Sequence, residues 1–271
     1  MTVAVRTPAV AGRFYPADPD TLLRDIRGYA PASPEARKPA MGCIAPHAGY
    51  MYSGHIAGAV YAHIAVPERC IVLCPNHTGR GSPLAAMATT TWQTPLGEIA
   101  AYTEMGTRLI ERFPMLREDA AAHRGEHAIE VQLPFLQAQQ SDLKIFPIAI
   151  GTQDFDALRG LGEAIADVIG EQDQDVLIIA SSDMNHYESD AITRVKDHKA
   201  IERVLALDAR GLWETVIRED ISMCGFGPAV VMLTATKLLG ATSAMLVKYA
   251  TSGDISGDGE RVVGYAGIVV E

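Results

Sequence analysis

No stretch of this sequence approaches the roughly 20 uninterrupted apolar residues that a membrane-spanning helix requires. Its start, Met1-Thr2-Val3-Ala4-Val5-Arg6-Thr7-Pro8, lacks the charged leader and apolar core of a secretory signal. A soluble, cytoplasmic chain is therefore expected, with no membrane partner. Net positive charge is also missing. The formal charge is −10, whereas phosphate binding along a nucleic acid needs clustered Lys and Arg, so nucleic acid is set aside as a partner. Nothing resembling a linker, an internal repeat or a low-complexity tract divides the 271 residues, and a single domain over 1–271 is expected. No G-x-G-x-x-G follows a strand, no P-loop lysine occurs, and there is no G-x-S-x-G elbow, which removes phosphate and dinucleotide cradles. Cysteine is scarce, with four residues. Cys70 and Cys74 fall on one predicted strand at a spacing of about 13 Å, too far for a disulfide. With Cys43 they read as small buried hydrophobes.

What is present is material for a core, 48% hydrophobic and 21% charged residues, and a repeated local pattern. The apolar run Gly42-Cys43-Ile44-Ala45 ends in Pro46-His47-Ala48-Gly49. Cys70-Ile71-Val72-Leu73-Cys74 ends in Pro75-Asn76-His77. Val176-Leu177-Ile178-Ile179-Ala180 ends in Ser181-Ser182-Asp183-Met184-Asn185-His186. Short unbroken apolar runs suggest strands covered on both faces, and open α/β sheets bind ligands beyond the carboxyl ends of such strands. Three strands thus bring His47, His77 and an Asp183/His186 pair to one edge.

The remaining elements follow in order. Asp20 is a candidate cap for a helix through Tyr29, and a proline-bearing loop spans Pro31 to Pro39. Ser53 is a candidate cap for a helix from Gly54 to Ile64. Leu84 to Thr91 reads as a strand, Thr94 to Glu98 as a turn, and Glu104 to Arg112 as a helix. Glu126 to Leu136 reads as a second helix, which Pro134 kinks or interrupts. A strand over Leu143–Ile150, a helix over Phe155–Ile169 and the strand to Ala180 form a βαβ unit. Helices are predicted over Ala191–Leu207 and Leu212–Arg218. Pro228 suits the first turn of a helix ending near Leu239. Ala244–Thr251 and Arg261–Val270 form a closing hairpin.

Imidazole is the commonest biological metal ligand, and two histidines in the same strand-then-loop context point to a metal at the sheet edge. Each alone reads more readily as a capping or hydrogen-bonding side chain. A third ligand has three candidates. Cys224 precedes a helix start, where unpaired amides favour a thiolate, and it is otherwise a loop cysteine packed under that helix. Asp183 and Glu126 are the carboxylate alternatives. Asp183 also suits a turn, and His186 suits general acid/base work. Glu126, His127 and Glu130 fall on helical spacing, with a solvated or supporting role for that set.

Taken together, Ala11-Gly12-Arg13-Phe14-Tyr15-Pro16, Ala45-Pro46-His47-Ala48-Gly49-Tyr50, Pro75-Asn76-His77, Glu126-His127 with Gln132-Leu133-Pro134-Phe135, Ser181-Ser182-Asp183 and Gly264-Tyr265-Ala266 resemble the Memo family along nearly the whole chain. That family is similar in fold to the catalytic subunit of class III extradiol dioxygenases. The resemblance implies a single three-layer αβα domain around a mostly parallel, mixed sheet. It also implies His47, His77 and Cys224 as metal ligands, Asp183 and His186 beside them as catalytic groups, and Phe14 and Tyr52 lining the mouth for substrate. The dioxygenases use two histidines and a carboxylate around Fe(II), whereas here the third ligand is a thiolate, softer and itself oxidisable. Iron or copper is the expected cofactor, with zinc as the third choice. Ring-opening activity is not carried over. Prokaryotic members tend to accompany a radical-SAM enzyme and an AMMECR-type protein, which are the implied partners. Three functions follow as expectations. The first is a metal-dependent oxidoreductase acting on a small or peptide-borne substrate. The second is a zinc hydrolase on the same residues, and the third is a peptide- or anion-binding module using Phe14, Tyr15, Tyr50 and Tyr52.

Overall fold

Successive residues of a strand face opposite sides, and in the central strands both sides are apolar. In the computed structural model, which describes residues 4–30, 36–172 and 174–271, Ile44, Ile71, Leu73, Ile178 and Ala180 join one core. Their strand neighbours Cys43, Ala45, Cys70, Val72, Cys74, Leu177 and Ile179 join another. The sheet is therefore the middle layer of three. Cys43, Cys70 and Cys74 are buried and unpaired, all on the same side.

In chain order the elements are β1 (Val5–Arg6), α1 (Pro19–Tyr29), β2 (Gly42–Ala45), α2 (Tyr50–His63), β3 (Arg69–Pro75), β4 (Leu84–Ala86), β5 (Thr91–Thr94), β6 (Gly97–Ala101), α3 (Thr103–Arg112), β7 (Arg117–Glu118) and α4 (Ala120–His123). A 3₁₀ turn (Glu130–Gln132) leads to α5 (Leu133–Gln137), β8 (Lys144–Ile150), α6 (Phe155–Gly170), β9 (Val176–Ser181), β10 (His186–Glu188), α7 (Asp190–Leu205), α8 (Ala209–Arg218), α9 (Phe226–Leu238), β11 (Ala244–Thr251), α10 (Gly253–Ser256) and β12 (Val262–Val270). The sheet runs β1-β5-β6-β8-β3-β9-β2-β12-β10, with β11 on β12 and β4 on β8. Its centre, β8-β3-β9-β2, is parallel, and β12 closes against β2 antiparallel. This is a three-layer αβα domain with a mixed sheet. Helices α1, α2 and α5 pack together on one face, and α3, α6, α8 and α9 on the other. No helix among the described residues is long and apolar enough to cross a membrane.

Several local expectations shift. Helix α1 is capped by Asp18, whose carboxylate accepts Thr21 N–H at 2.9 Å, because Pro19 fills the first helical position, where no amide is missed. Helix α2 begins at Tyr50 after Gly49, so Ser53 lies inside it and donates to Ala48 O instead. The run from Leu84 to Thr91 divides into β4 and β5, and residues 94–98 close a β5–β6 hairpin. The helix expected over 126–136 is a loop, a 3₁₀ turn and a short α5. Pro134 sits in the first turn of α5 and so starts that helix instead of breaking one. The expected loop 31–39 lies partly outside the described residues.

Candidate metal centre

Strand order decides what meets at the edge. Ala45 pairs with Ser181 and Leu73 with Ala180, so β3, β9 and β2 end side by side. The residues that follow them, His77, Asp183 and His47, are delivered to one place. Cys224 arrives on the loop before α9. That loop can pass only because residue 225 is glycine. A Cβ there would stand 2.4 Å from both Ser181 O and Ser182 Cβ. The backbone N–H of Gly225 donates to Ser182 Oγ at 3.0 Å.

The ligand atoms of His47, His77 and Cys224 all lie within 4.8 Å of one another, with Cys224 Sγ 3.3 Å from His47 Nε2. Hydrogen bonding behind them fixes which ring nitrogens are free. Ser181 has one hydroxyl proton, and it goes to Ala128 O at 2.6 Å, since a carbonyl only accepts. Toward His47 Nδ1, 3.0 Å away, Ser181 Oγ is therefore an acceptor. The proton of His47 lies on Nδ1, and Nε2 presents its lone pair to Cys224. Gln132 Nε2 also donates to Ser181 Oγ, at 2.8 Å. His77 is arranged in parallel fashion, with Nδ1 3.0 Å from Glu126 Oε1 and its backbone N–H donating to Glu126 Oε2 at 2.7 Å. Its Nε2 is likewise left open. Carboxylate or hydroxyl support behind an imidazole is the usual way of orienting a metal ligand.

The electrostatics agree with that arrangement at His47 and favour the protonated forms of His77 and Cys224. Burial, aided by His77, His127 and His186, holds His47 far below the ordinary histidine value, so it stays neutral as a ligand must. For His77, burial opposes charge but is outweighed by the hydrogen bond and charge of Glu126, with Asp183 adding, and its pKa is raised. Glu126 is reciprocally lowered. Burial works against its charge and is overcome by the His77 hydrogen bond and charge and by the Ala128 amide. Burial, then the Asp183 charge, pushes the Cys224 thiol up. A bound cation inverts this, because coordinated thiols lose their proton. Two imidazole nitrogens and one thiolate are a donor set suited to iron, copper or zinc.

These three residues open on a cavity of about 610 Å³ whose walls include Phe14, His127, Asp183, His186, Tyr187 and Tyr265. Asp183 is buried, its Oδ1 accepts the His47 backbone N–H at 2.8 Å, and burial raises its carboxyl above the usual range. His186 Nδ1 lies 2.8 Å from the Ser222 carbonyl, which makes Nδ1 the protonated nitrogen and Nε2 the basic one. The structure thus brings His47, His77, Cys224, Asp183, His186 and Phe14 together. Tyr52 is outside the cavity walls, half-buried against Ile56, Ala250 and Tyr265, and Tyr265 occupies the wall instead. Glu126, the alternative ligand, accepts at Oε1 from His77 Nδ1, His127 N and Ala128 N and at Oε2 from His77 N, and with His77 and His127 it forms a second group of ligand atoms within 4.8 Å of one another.

Two wall residues were not among the predicted catalytic, metal or substrate residues. His127 stacks on His77 with ring centroids 5.0 Å apart at 17°, and the signal for it was its neighbour Glu126. Tyr187 is 65% exposed, with φ of 63°, at a register shift in β10 that turns its ring outward. The pattern Asn-His-Tyr-Glu gives no sign of that bulge.

The model of the family described as Memo-like protein matches residues 6–269. Among curated relatives, a MEMO1 family protein of Methanopyrus kandleri is 44% identical over 97% of this chain and 98% of its own length. One of Methanosarcina barkeri is 43% identical over 98% and 100%, and one of Archaeoglobus fulgidus is 44% identical over 98% and 99%. With matches of this extent, and with every resembling phrase drawn into one structure, the chain belongs to the Memo family.

Proposed function

We propose that the chain is a metal-dependent oxidoreductase in which His47 Nε2, His77 Nε2 and Cys224 Sγ hold one iron or copper ion. The observation that carries the reading is the pair of tautomers set by Ser181 and Glu126, which leaves two lone pairs and one sulfur converging within 4.8 Å. A histidine placed only to cap a strand has no need of two such supports. The ion, when bound, supplies Lewis acidity and a one-electron couple at the floor of the cavity.

The remaining residues divide the other tasks. His186 takes or returns a proton at Nε2, the nitrogen that its bond to Ser222 leaves free. Asp183 holds the His47 backbone and offers its second oxygen for a donor on the substrate. Phe14, Tyr187 and Tyr265 give the mouth an aromatic lining that suits a small or peptide-borne group.

The test is elemental analysis of untagged chain purified anaerobically, beside His77→Ala. About one iron or copper per chain, lost in the variant, supports the reading. Stoichiometric zinc with no redox response moves the site to hydrolysis, with the metal lowering the pKa of bound water toward about 7. Metal content that is equal in the two proteins removes the ligand assignment.

A further inference from the structure

Two loops distant in sequence build one side of the cavity, residues 182–186 after β9 and residues 219–225 before α9. They are joined at Cys224 and Gly225, through Sγ to Asp183 O at 3.7 Å and through the Gly225 N–H to Ser182 Oγ. They are joined again by a set of bonds around Asn185. This side chain is completely buried. Its Nδ2 donates to Glu188 Oε2 at 2.7 Å and to Thr193 Oγ1 at 3.3 Å, which fixes the amide orientation. Oδ1 accepts the backbone N–H of Ser222 at 3.0 Å and the Ser222 hydroxyl at 3.0 Å. Its backbone is pinned as well, N–H to Asp197 Oδ1 at 2.8 Å and carbonyl to the Gly264 N–H at 2.9 Å.

Ser222 carries the link back. Its hydroxyl accepts the His186 N–H at 2.7 Å, and its carbonyl accepts His186 Nδ1–H at 2.8 Å. One exposed serine, two residues before Cys224, thus holds the ring of the proton-carrying histidine by its carbonyl and the buried amide by its hydroxyl. With Gly225 tied to Ser182 on the other side, Cys224 is held both before and after itself in the chain.

We infer that Asn185 and Ser222 are positioning residues that bind the His186 loop to the Cys224 loop, so that the thiolate ligand and the working imidazole are placed as one hydrogen-bonded unit. The inference rests on the metal reading above. Ligand groups must be held to about 0.5 Å to bind well, and partners lying behind metal ligands typically contribute 10- to 100-fold in affinity. Loss of this clamp removes the direct tie between the thiol loop and the His186 loop on the side before Cys224, while Ile221 and Met223 keep that loop packed on the core.

The test is a cobalt(II) titration of the metal-free full-length chain, followed by the thiolate-to-cobalt charge-transfer absorption. Ser222→Ala, at an exposed position that leaves the fold intact, is expected to weaken cobalt binding about 10-fold and to diminish that absorption. Asn185→Ala is expected to weaken it further, toward 100-fold. Ser222→Thr, which keeps the hydroxyl, restores both readouts. Leu109→Ala, buried on α3 away from the site, lowers the melting temperature without changing cobalt affinity. Wild-type affinity and absorption in Ser222→Ala, or no rescue by Ser222→Thr, overturns the clamp alone. A wild-type chain that takes up no cobalt through sulfur overturns the metal assignment and the clamp with it.

Discussion

Glu126 and Glu130 lie four residues apart in one segment, both are buried, and each carboxylate accepts four donors. Glu130 takes Arg6 Nη1 at 2.8 Å, the Ala9 and Val10 amides at 2.8 and 3.0 Å, and the Tyr15 hydroxyl at 2.7 Å. Glu126 takes the backbone and ring of His77 and the amides of His127 and Ala128. The difference is the cation. Arginine cannot surrender its proton at any working pH, and Arg6 is further held by Trp92, with its guanidinium carbon 4.1 Å from the ring centroid. Histidine surrenders its proton near neutrality and takes a metal in its place. The same buried carboxylate chemistry therefore serves to fasten the chain at one position and to orient the proposed ligand His77 at the other.

The contrast is broken most forcefully at Glu130. Removing one partner of a buried pair leaves the other uncompensated, so Glu130→Ala is expected to lower unfolding free energy by about 3–5 kcal/mol. Urea unfolding of the metal-free chain measures this. The fraction that remains folded should still bind metal with wild-type stoichiometry, because no atom of Glu130 touches a ligand. An unchanged urea midpoint would mean that the Arg6 side is not the fastening it is taken for.

Acid provides the next largest effect, and it acts beside the fastening. Burial pushes His123 down to about 4, opposed by its bond to the Ala85 carbonyl. Its folded pKa is below the unfolded value near 6.5, so between those values the unfolded chain binds the extra proton. Stability then rises with pH across that window. By pH 4 this residue alone contributes about 3 kcal/mol of destabilisation. His47, also depressed by burial, acts in the same direction. His123→Gln should flatten the slope of unfolding free energy against pH between 4 and 6.5, and an unaltered slope would contradict the assignment.

At Glu126 the expected loss is of function more than of stability. Glu126→Gln places an amide group against backbone and ring donors, and His77 loses the charge that orients it. Metal affinity should fall 10- to 100-fold, about 1.4–2.7 kcal/mol, with a smaller stability change than at Glu130. Without metal the sign is different again. The raised pKa of His77 means that its pairing stabilises the fold fully below the unfolded value near 6.5 and is lost as pH rises through the folded value. The stability difference between wild type and Glu126→Gln should therefore narrow with rising pH, whereas the deficit of Glu130→Ala should not.

How much of this was legible in the sequence depends on the range of the interaction. The apolar runs of β2, β3 and β9 gave both the sandwiched sheet and the positions of His47, His77 and Asp183, because two-sided burial and strand ends are local properties. The helix start after Cys224 made it one of three candidates for the third ligand, and the Memo resemblance selected it over Asp183 and Glu126. The two roles of Glu126 and Glu130 were not legible. Their helical spacing suggested a solvated or supporting role for the set, but the segment is a loop and a 3₁₀ turn, and each role is conferred by a partner 49 or 124 positions away. Tertiary pairing of that range leaves no periodic trace. The same holds for Ser181, whose hydroxyl sets the His47 tautomer only because Ala128 accepts its proton.

The smallest predicted effect separates what touches the cavity from what stands behind it. Phe14 packs edge-on against His127 with centroids 4.8 Å apart and its backbone carbonyl accepts the Tyr50 N–H at 2.7 Å. Phe14→Leu keeps the backbone bond and most of the buried area, and loses the aromatic edge, worth about 0.5–1.5 kcal/mol. Tyr52, one wall further out beside Tyr265, should matter less. Tyr52→Phe removes only a hydroxyl and is expected to change stability by under about 0.5 kcal/mol and to leave cobalt affinity as in wild type. Thermal melts and the cobalt titration read both variants together. If Tyr52→Phe weakened metal binding while Phe14→Leu did not, the mouth would lie on the Tyr52 side of Tyr265, and the aromatic wall would have to be redrawn around α2.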